Sequence, residues 1–141
     1  MTHFKPLTET FSVCAQLTVD DVKRAADAGY TAIICNRPDD EEAGQPNHQD
    51  IQNAAESMGL RYYFLPFKGP ATPEIVNQTQ EILKTETGPI LAHCRSGTRS
   101  TNVWAVAAVR NGQISMDDAI AAGREQGYDL SHLPERLAAF S

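Results

Sequence analysis

Four short apolar runs, each handing over to a segment with helical spacing and its own cap, constrain this chain more than any other feature. The runs are FSVCAQL (11–17), YTAIIC (30–35), LRYYFLPF (60–67) and PILAH (89–93). They alternate, or are short, continuous and β-branched, as strands are. After the first, Thr18 with Asp21 three residues later forms a capping pair for VDDVKRAADAG, which closes at Gly29. Asn47 caps a second helix that places Ile51, Ala54, Ala55 and Met58 on one face and stops at Gly59. Thr72 caps a third, with Pro73 at its first position and Ile75, Val76, Thr79, Ile82 and Leu83 sharing a face. STNVWAVAAVRNG follows the last strand, with Trp104 on its buried side; Ser115 caps MDDAIAAGREQG, and SHLPERLAAF reads as a short further helix.

This alternation predicts an α/β fold, a mostly parallel central sheet of four to five strands flanked by helices. At 141 residues the chain suits a single domain over 1–141. In a parallel sheet the strands' carboxyl ends share one edge, so loops 36–47, 67–72 and 94–99 gather there, where open α/β sheets bind ligands.

A formal net charge of -6 and the lack of any basic cluster argue against nucleic acid as a partner. No apolar stretch approaches a membrane span, and MTHFKPLTETFSVCAQ has no signal-peptide core. Three widely spaced cysteines make no disulfide framework, so a reducing cytoplasm is the simplest home. Cys14 and Cys35 fall within strands and read as small core residues. His3, His48, His93 and His132 are scattered without ligand spacing, and neither a metal nor a cofactor is expected.

The candidate chemistry lies in HCRSGTRS, residues 93–100. A strand delivers Cys94 to the sheet edge, and a helix begins about five residues later. The amides of such a turn have no helical partners and converge on a concavity of positive potential. Ser96, Gly97 and Thr98 are small enough for the backbone to curl. Such surroundings favour thiolate, the reactive form of a cysteine. Arg99 adds a planar fork able to hold two oxygens. Arg95 completes the loop, and Ser100 is expected to hydrogen-bond Cys94 or a departing sulfur. His93 is expected to brace the loop through side-chain hydrogen bonds. The bland alternative is a structural cysteine at a strand end beside a chance arginine.

This loop resembles two enzyme groups. Cysteine-based protein phosphatases carry a His-Cys pair, five residues, then Arg and Ser/Thr. Rhodanese-type sulfurtransferases have four residues between the cysteine and the closing position. Here four residues, Arg95 to Thr98, separate Cys94 from Arg99. The smaller ring is rhodanese-like; His93 is the phosphatase-like element. Beyond the loop, QLTVDDV, NRPDDEEAGQP and LPF make residues 5–125 similar to the bacterial phosphatase-like domain of β-lactamase-hydrolase-like proteins. That family (DUF442) is also called a sulfur transferase family. The resemblance implies a dual-specificity-phosphatase-like fold and a site centred on Cys94.

One departure divides the two chemistries. Dual-specificity phosphatases generally carry an acidic Asp in the loop after the strand preceding the long helix. Here that loop is PFKGPATPE, with Lys68 and Gly69 where the acid belongs and Glu74 as its first carboxylate. Proton donation to an ester leaving group contributes about 10²–10⁴-fold; sulfane transfer to a thiol needs none. The acids Asp39, Asp40, Glu41 and Glu42 either form a solvated loop or supply a carboxylate. Asp39 is the leading candidate to act as acid or to orient Arg99 or Arg37. Arg37 either steadies the catalytic loop or pairs with these neighbours. The favoured function is sulfur transfer through a Cys94 persulfide, from a small sulfur-containing donor to a thiol acceptor such as a protein thiol. The alternatives are hydrolysis of a phosphorylated substrate through a cysteinyl-phosphate, and a non-catalytic oxyanion- or persulfide-binding module.

Overall fold

The computed structural model of the chain describes residues 2–140. Five strands form one sheet: β1 (Lys5–Thr8), β2 (Phe11–Cys14), β3 (Ala32–Cys35), β4 (Arg61–Phe64) and β5 (Ile90–His93), in the order β1-β2-β5-β3-β4. All neighbours are parallel except the β1–β2 pair at the edge. The mostly parallel sheet flanked by helices is therefore as expected, with β1 as an antiparallel addition. Four-residue KPLT gives no periodicity to read, and its Pro6 is tolerated because an edge strand leaves one row of amides unpaired.

Six helices complete the fold: α1 (Val19–Asp27), α2 (His48–Ser57), α3 (Pro73–Thr85), α4 (Thr98–Arg110), α5 (Met116–Glu125) and α6 (Leu133–Ala138). The caps are those expected. Thr18 and Asp21 form a reciprocal capping box, and Asn47, Thr72 and Ser115 each accept the amide three residues on. Met58 departs from its expected buried face. It is the C-cap of α2 and half exposed, while Ile51 and Ala55 carry the packing.

Strand alternation sorts the core into two faces. Ile33 and Leu91 point toward α1 and α2, among Leu17, Val22, Ile51 and Ala55. Ile34, Ile90 and Ala92 point the other way, into a larger cluster with Val76 and Ile82 of α3 and Val103, Trp104 and Val106 of α4. The helix behind the cysteine loop is thus gripped by the bigger core. No described helix is long and apolar enough to cross a membrane.

The parallel strands end level. His93 pairs in register with Cys14 on one side and Cys35 on the other. Fully buried Asn36 then ties three strand exits together. Its amide donates to the His93 carbonyl (2.8 Å), its side chain to the Leu65 carbonyl (3.0 Å), and its own carbonyl accepts from Phe67 (3.3 Å). These bonds bring loops 36–47, 65–72 and 94–99 to one edge.

Candidate active site

Cys94 leaves β5 at this edge and sits at the floor of the turn, almost wholly buried. Gly97 takes φ 95°, a left-handed conformation open to glycine without steric cost, and becomes the N-cap of α4. That turn aims the Gly97 amide at Cys94 Sγ, 3.0 Å away. A main-chain N–H on the sulfur is the interaction a loop built to hold an anion provides. From outside, the Tyr128 hydroxyl donates to the Ser96 carbonyl at 3.0 Å. Burial, and then the nearby Cys94 sulfur, raise the Tyr128 pKa, so the phenol stays protonated as a donor. Ser96 Oγ and Thr98 Oγ1 lie 3.1 Å apart on the exposed rim.

Arg99 stands in the first turn of α4. Its Nη1 donates to Glu41 Oε2 (2.9 Å) and the Phe67 carbonyl (3.0 Å), and its Nη2 to Glu41 Oε1 (2.7 Å). A guanidinium has five donors, and Glu41 and the Phe67 carbonyl engage those of Nη1 and Nη2. The Glu41 hydrogen bond raises the Arg99 pKa, and the neighbouring Cys94 adds to the rise. Arg99 is therefore a cation anchored by Glu41 and the Phe67 carbonyl within electrostatic reach of the sulfur.

Glu41 is shared. Its Oε1 also accepts from Nε of buried Arg37 at 3.0 Å, and Arg37 Nη1 donates to Gln16 at 3.0 Å. Hydrogen bonds from Arg99 hold the Glu41 carboxyl below its ordinary range despite burial, and Arg37 adds to this. Of the two readings of Arg37, pairing with an acidic neighbour describes its contacts, and it meets Arg99 only through the shared Glu41.

Three expectations need correction. Asp39 touches neither arginine: it accepts from the His48 amide (2.8 Å) and contacts the His48 ring nitrogen (2.5 Å), fastening the start of α2. Burial pushes its carboxyl up, but the two His48 contacts outweigh that and hold it low. Ser100 is fully buried with its hydroxyl unpaired, so it makes no bond to Cys94. The helix starts two residues before it, at Thr98, which turns Ser100 inward. His93 makes no well-formed side-chain hydrogen bond. Its pKa is lowered to about 4, chiefly by complete burial, although the Cys94 backbone pulls slightly the other way. The ring fills space beneath the loop as a neutral group.

Cys14 and Cys35 are buried as expected. Burial pushes both thiols up, that of Cys35 to about 11, away from reactive thiolate. Arg95 reaches outward to Glu42 at 3.0 Å on the rim. Sequence reasoning did not single out Asn36, Gln16 or Tyr128, nor pick Glu41 from its run of acids. Only proximity in the fold identifies them.

The sequence of residues 3–111 matches the model of the family "Beta-lactamase hydrolase-like protein, phosphatase-like domain". A beta-lactamase hydrolase-like protein of Xylella fastidiosa is 35% identical over 125 residues, covering 88% of this chain; the chain spans only 29% of that relative's length. Among solved structures, a phosphatase candidate from Neisseria meningitidis superposes with a TM-score of 0.80 and 29% identity, covering 97% of each chain. A kinase-associated phosphatase with its catalytic-site cysteine replaced by serine matches in fold alone, with a TM-score of 0.71, 20% identity and coverage of 99% and 96%. The architecture is that of the cysteine phosphatases. By sequence over most of its length, this chain belongs to the family of phosphatase-like domains of beta-lactamase hydrolase-like proteins.

Proposed function

We propose that the protein is a sulfurtransferase working through a persulfide on Cys94. The observation that carries this reading is a nucleophile loop with its guanidinium in place and no acid at the usual phosphatase position, while Glu41 and Asp39 are engaged with other side chains. Glu41 is held ionised by two arginines, Asp39 is tied to His48, and the loop after β4 offers Lys68 and Gly69 where an acid would stand. Breaking a phosphate ester wants a proton donor; moving a sulfane sulfur does not. The turn is also one residue shorter than the phosphatase form, which suits a single sulfur better than a tetrahedral phosphoryl group.

In the first step the Cys94 thiolate attacks the outer sulfur of a sulfane donor. A new S–S bond forms, the donor's S–S bond breaks, and its electron pair leaves with the remainder, as sulfite when thiosulfate is the donor. The Gly97 amide and the Arg99 charge stabilise the anion during transfer. An acceptor thiolate then attacks the terminal sulfur and restores Cys94. A small thiol or a protein thiol in a reducing compartment fits the acceptor's role. Incubation with thiosulfate should add the mass of one sulfur atom to the wild type and nothing to Cys94→Ser. A wild-type chain left unmodified by thiosulfate and by thiosulfonates would overturn the reading.

A second reading, hydrolysis through a cysteinyl-phosphate, is supported by the fold and by Glu42. That exposed carboxylate sits on the rim against Arg95 and could donate the missing proton. Turnover of an aryl phosphate that disappears in Cys94→Ser would favour it.

A further inference from the structure

Beside the cysteine loop lies a cavity of about 340 Å³ that the transfer of one sulfur atom does not use. Thr98 and Arg99 form its near wall, so it opens directly off the loop. Its body is apolar: Phe67 and Pro70 from the loop after β4, Val103 and Val106 from α4, and Ala139 and Phe140 at the end of α6. Arg136 also lines it. The Phe140 end is fastened, since Arg110 donates to the Phe140 carbonyl and lies over its ring.

An inorganic donor such as thiosulfate has no apolar part to place in this space. We infer that the cavity binds the organic body of the donor. The substrate class is then an organic sulfane-sulfur anion: a sulfane end on Cys94 and an apolar body of ring size in the cavity. At about 30 Å³ per water-sized heavy atom, the space holds roughly eleven such atoms, enough for a substituted ring. The inference rests on the sulfur-transfer reading and deepens it. For an aryl thiosulfonate, the Cys94 thiolate takes the outer sulfur as its S–S bond breaks and releases the aryl sulfinate, charge and atoms conserved.

Binding of the leaving groups tests the cavity without any chemistry. Benzenesulfinate should bind the wild type about tenfold more tightly than methanesulfinate, the size of effect expected for burying most of a ring. Ala139→Trp, a change at an exposed position on the wall, should bring the two affinities together, with circular dichroism and thermal unfolding checking the fold. Equal binding of benzene- and methanesulfinate by the wild type would overturn the inference, as would a ring preference that survives Ala139→Trp in a folded protein. Should no donor place sulfur on Cys94, the substrate class falls with the sulfur-transfer reading, while the sulfinate ratio still decides whether the cavity takes an apolar ring.

Discussion

The two loops that meet at the sheet edge are built from different materials. Loop 94–99 is made by the main chain: a left-handed glycine, an amide on the sulfur, and a tyrosine hydroxyl on a carbonyl. Loop 36–47 is made by side-chain charge, with one carboxylate clamped between Arg37 and Arg99 and another on His48. The first loop shapes the pocket. The second holds the arginine that closes it. A main-chain device fails when the backbone cannot take its path, whereas a charge device fails by degrees as partners are neutralised.

The largest effect should therefore follow Gly97→Ala. The residue sits at φ 95°, and a β-carbon there would lie 2.1 Å from Tyr128 Oη and 2.9 Å from its Cζ. Either the turn or the tyrosine must move, and displacing a reacting group by about 1 Å costs roughly a hundredfold in rate. Persulfide formation on Cys94, followed by mass spectrometry, should slow by about that factor. A rate near that of wild type would mean the Gly97 amide does not support the chemistry.

Glu41→Gln should act less severely. The side chain keeps its length, but two largely buried guanidiniums lose their shared charge. Hydrogen bonds involving charged groups contribute about 1.5–3 kcal/mol, so stability to urea should fall by about 2 kcal/mol and the transfer rate by roughly tenfold. Asp39→Asn, on the same loop but tied only to His48, should leave the rate much closer to wild type. Equal effects from the two variants would erase the distinction between the clamp and the helix fastening.

The same contrast explains what could be read before folding. The capping pair Thr18/Asp21 and the caps Asn47, Thr72 and Ser115 are local, since a side chain reaches an amide three residues away. The run from Cys94 to Arg99 is contiguous, so its strand–turn–helix geometry follows from spacing alone. Glu41 and Arg99 are 58 residues apart, and Tyr128 lies 32 beyond Ser96. No local rule distinguishes Glu41 from Asp39, Asp40 and Glu42, because strand order decides which carboxylate faces the guanidinium. His93 misled for a related reason. Its place in the motif suggested a hydrogen-bonding brace, while full burial between β2 and β3 made it a neutral filler.

Acid should separate the loops by pH. His93 has an ordinary pKa of 6.5 when unfolded and about 4 in place. Between those values the unfolded chain binds a proton the folded one refuses, so stability falls as pH drops, by at most about 1.4 kcal/mol per unit. Glu41 follows the same sign at lower pH: its lowered pKa stabilises the fold above its ordinary 4.5, and that contribution is lost as pH falls through the lowered value. Urea titrations should therefore show a first slope between pH 6.5 and 4 that His93→Phe flattens, and a second, below 4.5, that Glu41→Gln reduces. A first slope unchanged by His93→Phe would place the proton elsewhere.

The smallest effect belongs to the rim, where the two loops touch through Arg95 and Glu42. Their side chains are 68% and 54% exposed, and an ion pair so open to water contributes little. If sulfur transfer is the reaction, Glu42→Gln has no proton to withhold, and persulfide formation should change by less than about twofold. If phosphate-ester hydrolysis is the reaction and Glu42 is its acid, the same variant should lose about 10²–10⁴-fold toward an aryl phosphate. A near-silent substitution thus separates the chemistries: a large loss on the ester would make loop 36–47 a catalytic partner of the cysteine turn, and a silent result leaves it as the arginine's support.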